Sequence, residues 1–389
     1  MKIFRDPIHN VINLDTSDKA ANQLIVNLID TKEFQRLRFI RQMGLAYLAY
    51  PSALHSRFEH SLGVAFLAKR FLDKILSLKV QFTGPLFDEF FDELKENYAL
   101  TIVAALLHDI GHGPLSHACE EVTSVSHEKW NKEIIFGDTE INKCLLEYGG
   151  GHGYRGGHEN CPGNVYAIMT SSKIISGQLD VDRMDYLLRD SHMTGSGYGR
   201  FDVEWLLNVL TVGVRDRQVE IGLDYGKGQS VAEDFTMARL YMYKNVYLHK
   251  TNLIAQNMLV ALFERLRQIG YIGNMPGIER VFISKISEMS EIPEMSEMSE
   301  ISKTPDIADT SLSALLDDYL SLTDIEMFYF LKQLRHIDDK IARDLADGLI
   351  NRRLPKDSEN WDDTRKLILN EKNKKSHHDG GILLFDKTN

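Results

Sequence analysis

The run Ile102-Val103-Ala104-Ala105-Leu106-Leu107 leads without a break into His108-Asp109 and then into Ile110-Gly111-His112-Gly113-Pro114. A helix that is apolar on every side is stable only inside a core. This stretch therefore predicts a buried helix that is stopped at once by glycine and proline. A histidine and a carboxylate side by side at such an end are held rigidly, as metal ligands must be. The same dipeptide recurs as His378-Asp379, but in a polar tail where metal binding is not expected.

With 389 residues, 43% of them apolar and 26% charged, the chain can bury a large core, and its length suits roughly two or three domains. Met1-Lys2-Ile3-Phe4-Arg5-Asp6-Pro7 lacks the charged-then-apolar pattern of a signal peptide. No apolar run approaches the roughly 20 residues that span a bilayer. A cytoplasmic protein without a membrane partner is expected. Cys119, Cys144 and Cys161 are too scattered for a disulfide framework or a four-thiolate zinc site. A net charge of -11 disfavours nucleic acid as a partner, because phosphate neutralisation by Lys and Arg dominates that affinity.

Short extended pieces at Lys2 to Phe4 and Asn10 to Asp15 suggest a small hairpin, and Leu210 to Asp224 suggests a second, turning at Arg215-Asp216-Arg217. Ser56-Arg57-Phe58-Glu59 has the form of a capping box, which places His60 in a helix's first turn. A Gly- and His-rich loop is expected from Gly149 to Gly163, and helix for most of the remainder up to Gly270. Ser-Glu-Met and Ser-Glu-Ile repeats from Ser287 to Lys303 fit neither a helix nor a heptad period. The expected organisation is a core over 1–275, a flexible acidic insert over 285–305, and a helical region with a polar tail over 306–389.

Metal-assisted attack on a phosphate ester needs mixed nitrogen and oxygen ligands, open coordination positions and nearby cations. His60, His108, Asp109 and one carboxylate from the stretch Gln178 to Tyr186 could supply the ligands, a set that suits Fe, Mn, Zn, Ni or Co. Asp182, Tyr186 and Asp190 would line one helix face, as would Arg239, Tyr243 and Tyr247, giving phosphate a charge partner and a sugar or base an aromatic wall. His112, His117, His127 and His152 are candidates for proton transfer, with Glu120 and Glu128 placed to orient them. His152, His158 and Cys161 could be read as a second metal site, but a Gly-rich setting favours solvent exposure. No Walker A loop, no Gly-x-Gly-x-x-Gly after a strand and no Gly-x-Ser-x-Gly elbow occurs, which disfavours P-loop, Rossmann and serine hydrolase chemistry.

His60, His108-Asp109 and Asp182, in that order, resemble the signature of the HD-domain metal phosphohydrolases. Asp6-Pro7-Ile8-His9, Phe34 to Gln42, His55 to Val64, His108 to His117 and Asp180-Val181-Asp182-Arg183 narrow the resemblance. They are similar to the deoxynucleoside triphosphate triphosphohydrolase (dGTPase-like) branch, which includes the animal protein joining a sterile alpha motif to an HD domain. The likeness covers Met1 to Lys250 and, more weakly, Leu312 to Lys356.

That resemblance implies a mainly α fold with small β-hairpins and a C-terminal helical region. It implies hydrolysis of a dNTP to a deoxynucleoside and inorganic triphosphate. One divalent metal would be bound by His60, His108, Asp109 and Asp182, with Mg accompanying the nucleotide. His117 would be the general acid, aided by Glu120 and His127, with Glu120 standing where the animal protein has aspartate. Substrate would meet Gln42, Arg57, His112, Arg183, Tyr186, Asp190, Arg239 and Tyr247, the last crowding the sugar 2′ position. A nucleotide activator would bind at a subunit interface of a dimer or tetramer through Lys2, Asp30, Gln35, Arg38, Arg352 and Lys356. The alternatives are an HD phosphohydrolase for another nucleotide and a nucleic-acid-binding or regulatory homologue.

Overall fold

A computed structural model describes residues 2–150, 161–283, 307–355 and 384–385. His152, His158, Lys356, His378, Asp379 and the 285–305 insert lie outside the described residues. The chain opens with the expected hairpin, β1 (Ile3–Asp6) antiparallel to β2 (Asn10–Asn13). Next come α1 (Lys19–Asp30), started by an Asp18 side chain that accepts the Ala20 N–H, and α2 (Lys32–Arg36). Then α3 (Arg57–Ser77) begins with the capping box, the Ser56 N–H donating to the Glu59 carboxylate at 3.0 Å.

After α4 (Pro85–Glu96) comes α5 (Tyr98–Leu107), in which every residue from Ala99 to Leu107 is buried. It packs between α3 and, further along, α9 (Cys161–Ser171); between α5 and α9 lie α6 (His117–Thr123), α7 (His127–Phe136) and α8 (Glu140–Gly150). Both ends of the stretch expected to be a Gly- and His-rich loop are helical: Gly149 and Gly150 close α8, and Cys161 to Gly163 open α9, with Cys161 in the core, while 151–160 lie outside the described residues. Helices α10 (Val181–Thr194) and α11 (Val203–Asn208) lead to β3 (Leu210–Arg215) and β4 (Gln218–Asp224). Asp216 and Arg217 both adopt positive φ, as a two-residue turn between strands of right-handed twist requires.

Helix α12 (Tyr225–Met242) gives way to a π turn over Tyr243–Tyr247, so Arg239, Tyr243 and Tyr247 do not share one α-helix. The Leu248 N–H reaches back to the Tyr243 carbonyl at 3.0 Å, one residue further than the α pattern. Beyond α13 (Lys250–Gln268) and the short α14 (Pro276–Ile278), the chain resumes with α15 (Ile307–Leu320), α16 (Asp324–Leu334) and α17 (Lys340–Ile350). A two-residue strand, β5 (Leu384–Phe385), pairs in parallel with β4 inside the segment read as a polar tail.

The C-terminal helices hold the loop that follows α5. The Tyr319 hydroxyl donates to the Gly111 carbonyl at 2.6 Å while its ring stacks on Trp130. Asp324 accepts the Leu115 and Arg41 N–H groups at 2.7 and 3.1 Å. Buried Arg36 bridges the His112 and Leu322 carbonyls at 2.9 and 3.0 Å. Gly111 lets α7 come this close, since a Cβ there would sit 2.3 Å from the His127 carbonyl oxygen.

Burial pushes the Asp324 carboxyl up to about 6, against its N–H donors, which pull it down from the ordinary 3.8 by less than burial raises it. The folded chain therefore holds this proton more tightly than the unfolded one. The contribution of this group to stability declines as pH rises from about 4 to about 6, by about 3 kcal/mol in all. An Asp324→Asn variant does not ionise and should escape the decline. Its melting temperature relative to the parent is expected to rise across that window, and a pH-independent difference in calorimetric scans would refute the assignment.

Candidate active site

A cavity of about 720 Å³ opens where α3, α10 and the loop after α5 converge. Its lining includes Gln42, Arg57, His60, Asp109, His112, His117, Glu120, His127, Asp182, Tyr186, Asp190, Arg239 and Tyr247. The i, i+4 spacing along α10 brings Asp182, Tyr186 and Asp190 to it together, and Arg239 and Tyr247 arrive despite the π turn. Arg183, by contrast, is not among the lining residues and lies with its Nε 3.5 Å from Asp180.

At the inner end, His60 Nε2 lies 3.0 Å from Asp182 Oδ1 and 3.5 Å from Asp109 Oδ2. His108 Nε2 lies 3.4 Å from Asp109 Oδ1 and 3.5 Å from Asp182 Oδ1, buried and without a hydrogen bond. Its other nitrogen faces the Ala105 carbonyl at 2.8 Å, which fixes the ring and aims Nε2 at the two carboxylates. An orphaned imidazole nitrogen converging with a second imidazole and two carboxylates is the donor set of a divalent transition metal, so the residues fit such an ion.

Electrostatics point the same way. Burial alone would depress His60, but hydrogen bonds to Asp182 and Asp185 outweigh it and raise the imidazolium to about 10. Burial would lift Asp109, but the adjoining Arg57 guanidinium and the imidazoles of His108 and His112 hold it well below the usual carboxylate range. The negative potential that holds a proton on these rings also favours a cation between them.

Of the three carboxylates in the Asp180 to Asp185 stretch, only Asp182 lines the cavity. Asp180 caps α10, accepting the Arg183 N–H at 2.7 Å. Asp185 turns into the core. It receives Arg189 Nε and Nη2 at 2.8 and 2.9 Å and lies 2.8 Å from His60 Nδ1 and 2.6 Å from His9 Nε2. Arg189 continues to Asp6 at 2.7 Å. Sequence reasoning offers Asp185 only as one of three alternative ligands and gives Arg189 and His9 no role of their own in the site. The i, i+4 Asp–Arg pair and the Asp6-Pro7-Ile8-His9 motif were the available signals.

Towards the mouth, Glu120 Oε1 lies 3.0 Å from His117 Nδ1, 3.0 Å from His127 Nδ1 and 3.4 Å from His112 Nδ1. Burial opposes ionisation of Glu120, but bonds to His117 and His127 drive its pKa far below normal. His117 is exposed, His112 buried. On the opposite wall both oxygens of Asp190 are engaged, one 2.7 Å from His55 Nε2 and the other accepting the Tyr247 hydroxyl at 2.8 Å. His55 is a further residue that the sequence did not single out.

The residues expected to bind an activator fall in two places. Lys2 pairs with Asp30, while Gln35 donates to the Ile29 carbonyl at 2.7 Å and accepts from Arg38, whose guanidinium stacks on Phe58. Arg352 stands apart, donating to the Leu48 carbonyl at 2.7 Å.

Residues 57–190 match the HD domain family. The chain belongs to this family of phosphohydrolases. It is 34% identical over 365 residues to YwfO, an uncharacterized protein of Bacillus subtilis, covering 91% of this chain and 71% of YwfO. Human SAMHD1, a deoxynucleoside triphosphate triphosphohydrolase, is 29% identical over 302 residues, which are 68% of this chain but 44% of SAMHD1. A crystal structure of a phosphohydrolase from Bacteroides thetaiotaomicron has a TM-score of 0.68 at 28% identity, covering 91% of this chain and 77% of that one. No helix among the described residues is long and apolar enough to cross a membrane.

Gly63 leaves the space that Asp185 occupies: a Cβ there would sit 1.9 Å from Asp185 Oδ1 and 2.6 Å from Arg189 Nη2. Gly63→Ala is expected to destabilise the fold by about 1–3 kcal/mol and to weaken metal binding about 10–100-fold by loosening His60. Denaturant unfolding and metal titration read the two effects separately. Unchanged metal affinity would show that His60 is oriented without Asp185.

Proposed function

We propose that this chain hydrolyses deoxynucleoside triphosphates to deoxynucleoside and inorganic triphosphate. The observation that carries the reading is one cavity combining a metal donor set, a His117–Glu120 pair and a wall bearing Arg57, Arg239, Tyr186 and Tyr247. Its volume suits a nucleotide. SAMHD1, whose name states that activity, supports it by similarity.

A divalent ion held by His60, His108, Asp109 and Asp182 would supply Lewis acidity at a phosphoryl oxygen and activation of water. The protein does the rest. Arg57 and Arg239 offer guanidinium donors to the polyphosphate, and buried His112 contacts it beside Asp109. Arg183 would act at longer range, as a positive charge beside Asp180. Glu120 orients His117 through Nδ1, leaving its Nε2 to protonate the departing 5′-oxygen, with His127 steadying the same carboxylate. Gln42, whose buried Oε1 has no protein partner, and Asp190 hold the sugar 3′-hydroxyl. Tyr247, fixed by Asp190, excludes a 2′-hydroxyl by bulk.

Incubation with each dNTP and Mn²⁺ should release triphosphate; monophosphate and pyrophosphate as the only products would overturn the reading. His117→Ala should retain its metal while turnover falls by about 10² to 10⁴. The same reading includes a nucleotide activator that displaces Lys2, Asp30, Gln35 and Arg38 from their present partners and draws on Arg352 and Lys356 to assemble a dimer or tetramer. A sedimentation coefficient unchanged by dGTP or GTP would count against that part.

A further inference from the structure

His112 separates two clusters of donor atoms. On one side its Nε2 lies 3.3 Å from Asp109 Oδ1; on the other its Nδ1 lies 3.4 Å from Glu120 Oε1, where His117 and His127 also converge. The four donor atoms of His112, His117, Glu120 and His127 all lie within 4.8 Å of one another. A tetrahedral ion with bonds of about 2.0–2.1 Å places neighbouring ligand atoms roughly 3.3 Å apart. Contacts of 3.0, 3.0 and 3.4 Å to the shared carboxylate oxygen match that spacing.

One atom in the cluster lacks a partner. His112 is 1% exposed and its Nδ1 has no hydrogen bond. A neutral imidazole has one donor and one acceptor nitrogen. With carboxylate oxygens flanking both nitrogens, a proton directed at Asp109 leaves the Nδ1 lone pair aimed at Glu120. A cation among the four groups turns that repulsion into two bonds. The near-parallel stacking of His112 on His127, with centroids 3.9 Å apart, already holds two of the donors side by side.

We propose that His112, His117, Glu120 and His127 form a second metal site, selective for borderline transition ions such as Zn²⁺ over Mg²⁺, whose occupation inhibits the enzyme. Imidazole-rich ligation disfavours Mg²⁺, which takes oxygen ligands in octahedral array. Inhibition follows because the ion occupies the carboxylate and the Nδ1 atom through which His117 is oriented. That half rests on the function proposed above; the binding half does not.

Titration of Zn²⁺ into the metal-stripped full chain, with bound metal counted after gel filtration, should give two equivalents. His108→Ala and His127→Ala should each retain one. Activity should rise with the first equivalent and fall by about 10² with the second. A single equivalent in the parent overturns the site, as does a second one that survives in both His127→Ala and Glu120→Gln with native circular dichroism. If those variants fail to fold, anomalous zinc scattering from crystals of the parent decides, and the absence of a peak within bonding distance of the four atoms refutes the proposal. Two equivalents with no triphosphate release even at the first, or with Mn²⁺ alone, leave the site standing and remove the hydrolase reading. One equivalent with triphosphate release does the reverse.

Discussion

Asp185 reaches neither solvent nor cavity, yet the geometry of the site hangs on it. Its carboxylate and the Arg189 guanidinium form a fully buried ion pair, and such a pair resists disruption because removing either member strands a charge, at about 3–5 kcal/mol. The same carboxylate faces His60 Nδ1, which leaves His60 Nε2 turned towards Asp182 and Asp109. Arg189 carries the network on to Asp6 at the end of β1, and His9 closes it from the hairpin turn. The N-terminal hairpin is thereby fixed by the group that sets the tautomer of a metal-facing histidine.

A second constraint acts on the loop from Asp109 to His117. Leu115 and Ser116 both take positive φ, a conformation side chains other than glycine resist. The surroundings hold it from several directions: Arg57 donates to the Ser116 hydroxyl, which donates to the Arg41 carbonyl, while Asp324 takes the Leu115 N–H. Arg57 also reaches Asp109, so one guanidinium links the strained backbone to the metal-facing carboxylate.

Local rules made much of this legible in the sequence. The all-apolar α5, the capping box before His60 and both hairpins follow from patterns a few residues long. The choice among Asp180, Asp182 and Asp185 did not, because it depends on α10 starting at Val181, which makes Asp180 a cap and turns Asp185 inward. Arg183 illustrates the same limit, since its place in the motif did not bring it to the cavity wall. His9, Tyr319 and Asp324 act across separations of 176, 208 and 209 residues, and no periodicity encodes such pairings. The π turn at Tyr243 was hidden because its side chains keep to an α-like spacing on paper.

Those long separations also set an order of events during synthesis. Gly111 and Leu115 leave the ribosome more than 200 residues ahead of Tyr319 and Asp324, to which they are bonded in the finished chain. At about 5–20 residues per second, the gap lasts roughly 10–40 s. The loop that carries His112 and His117 therefore waits for its last supports while every metal-facing side chain is already present. Translation halted before residue 307 would leave a chain with the ligands in hand and the loop held by Arg36 and Arg57 but lacking its Tyr319 and Asp324 supports.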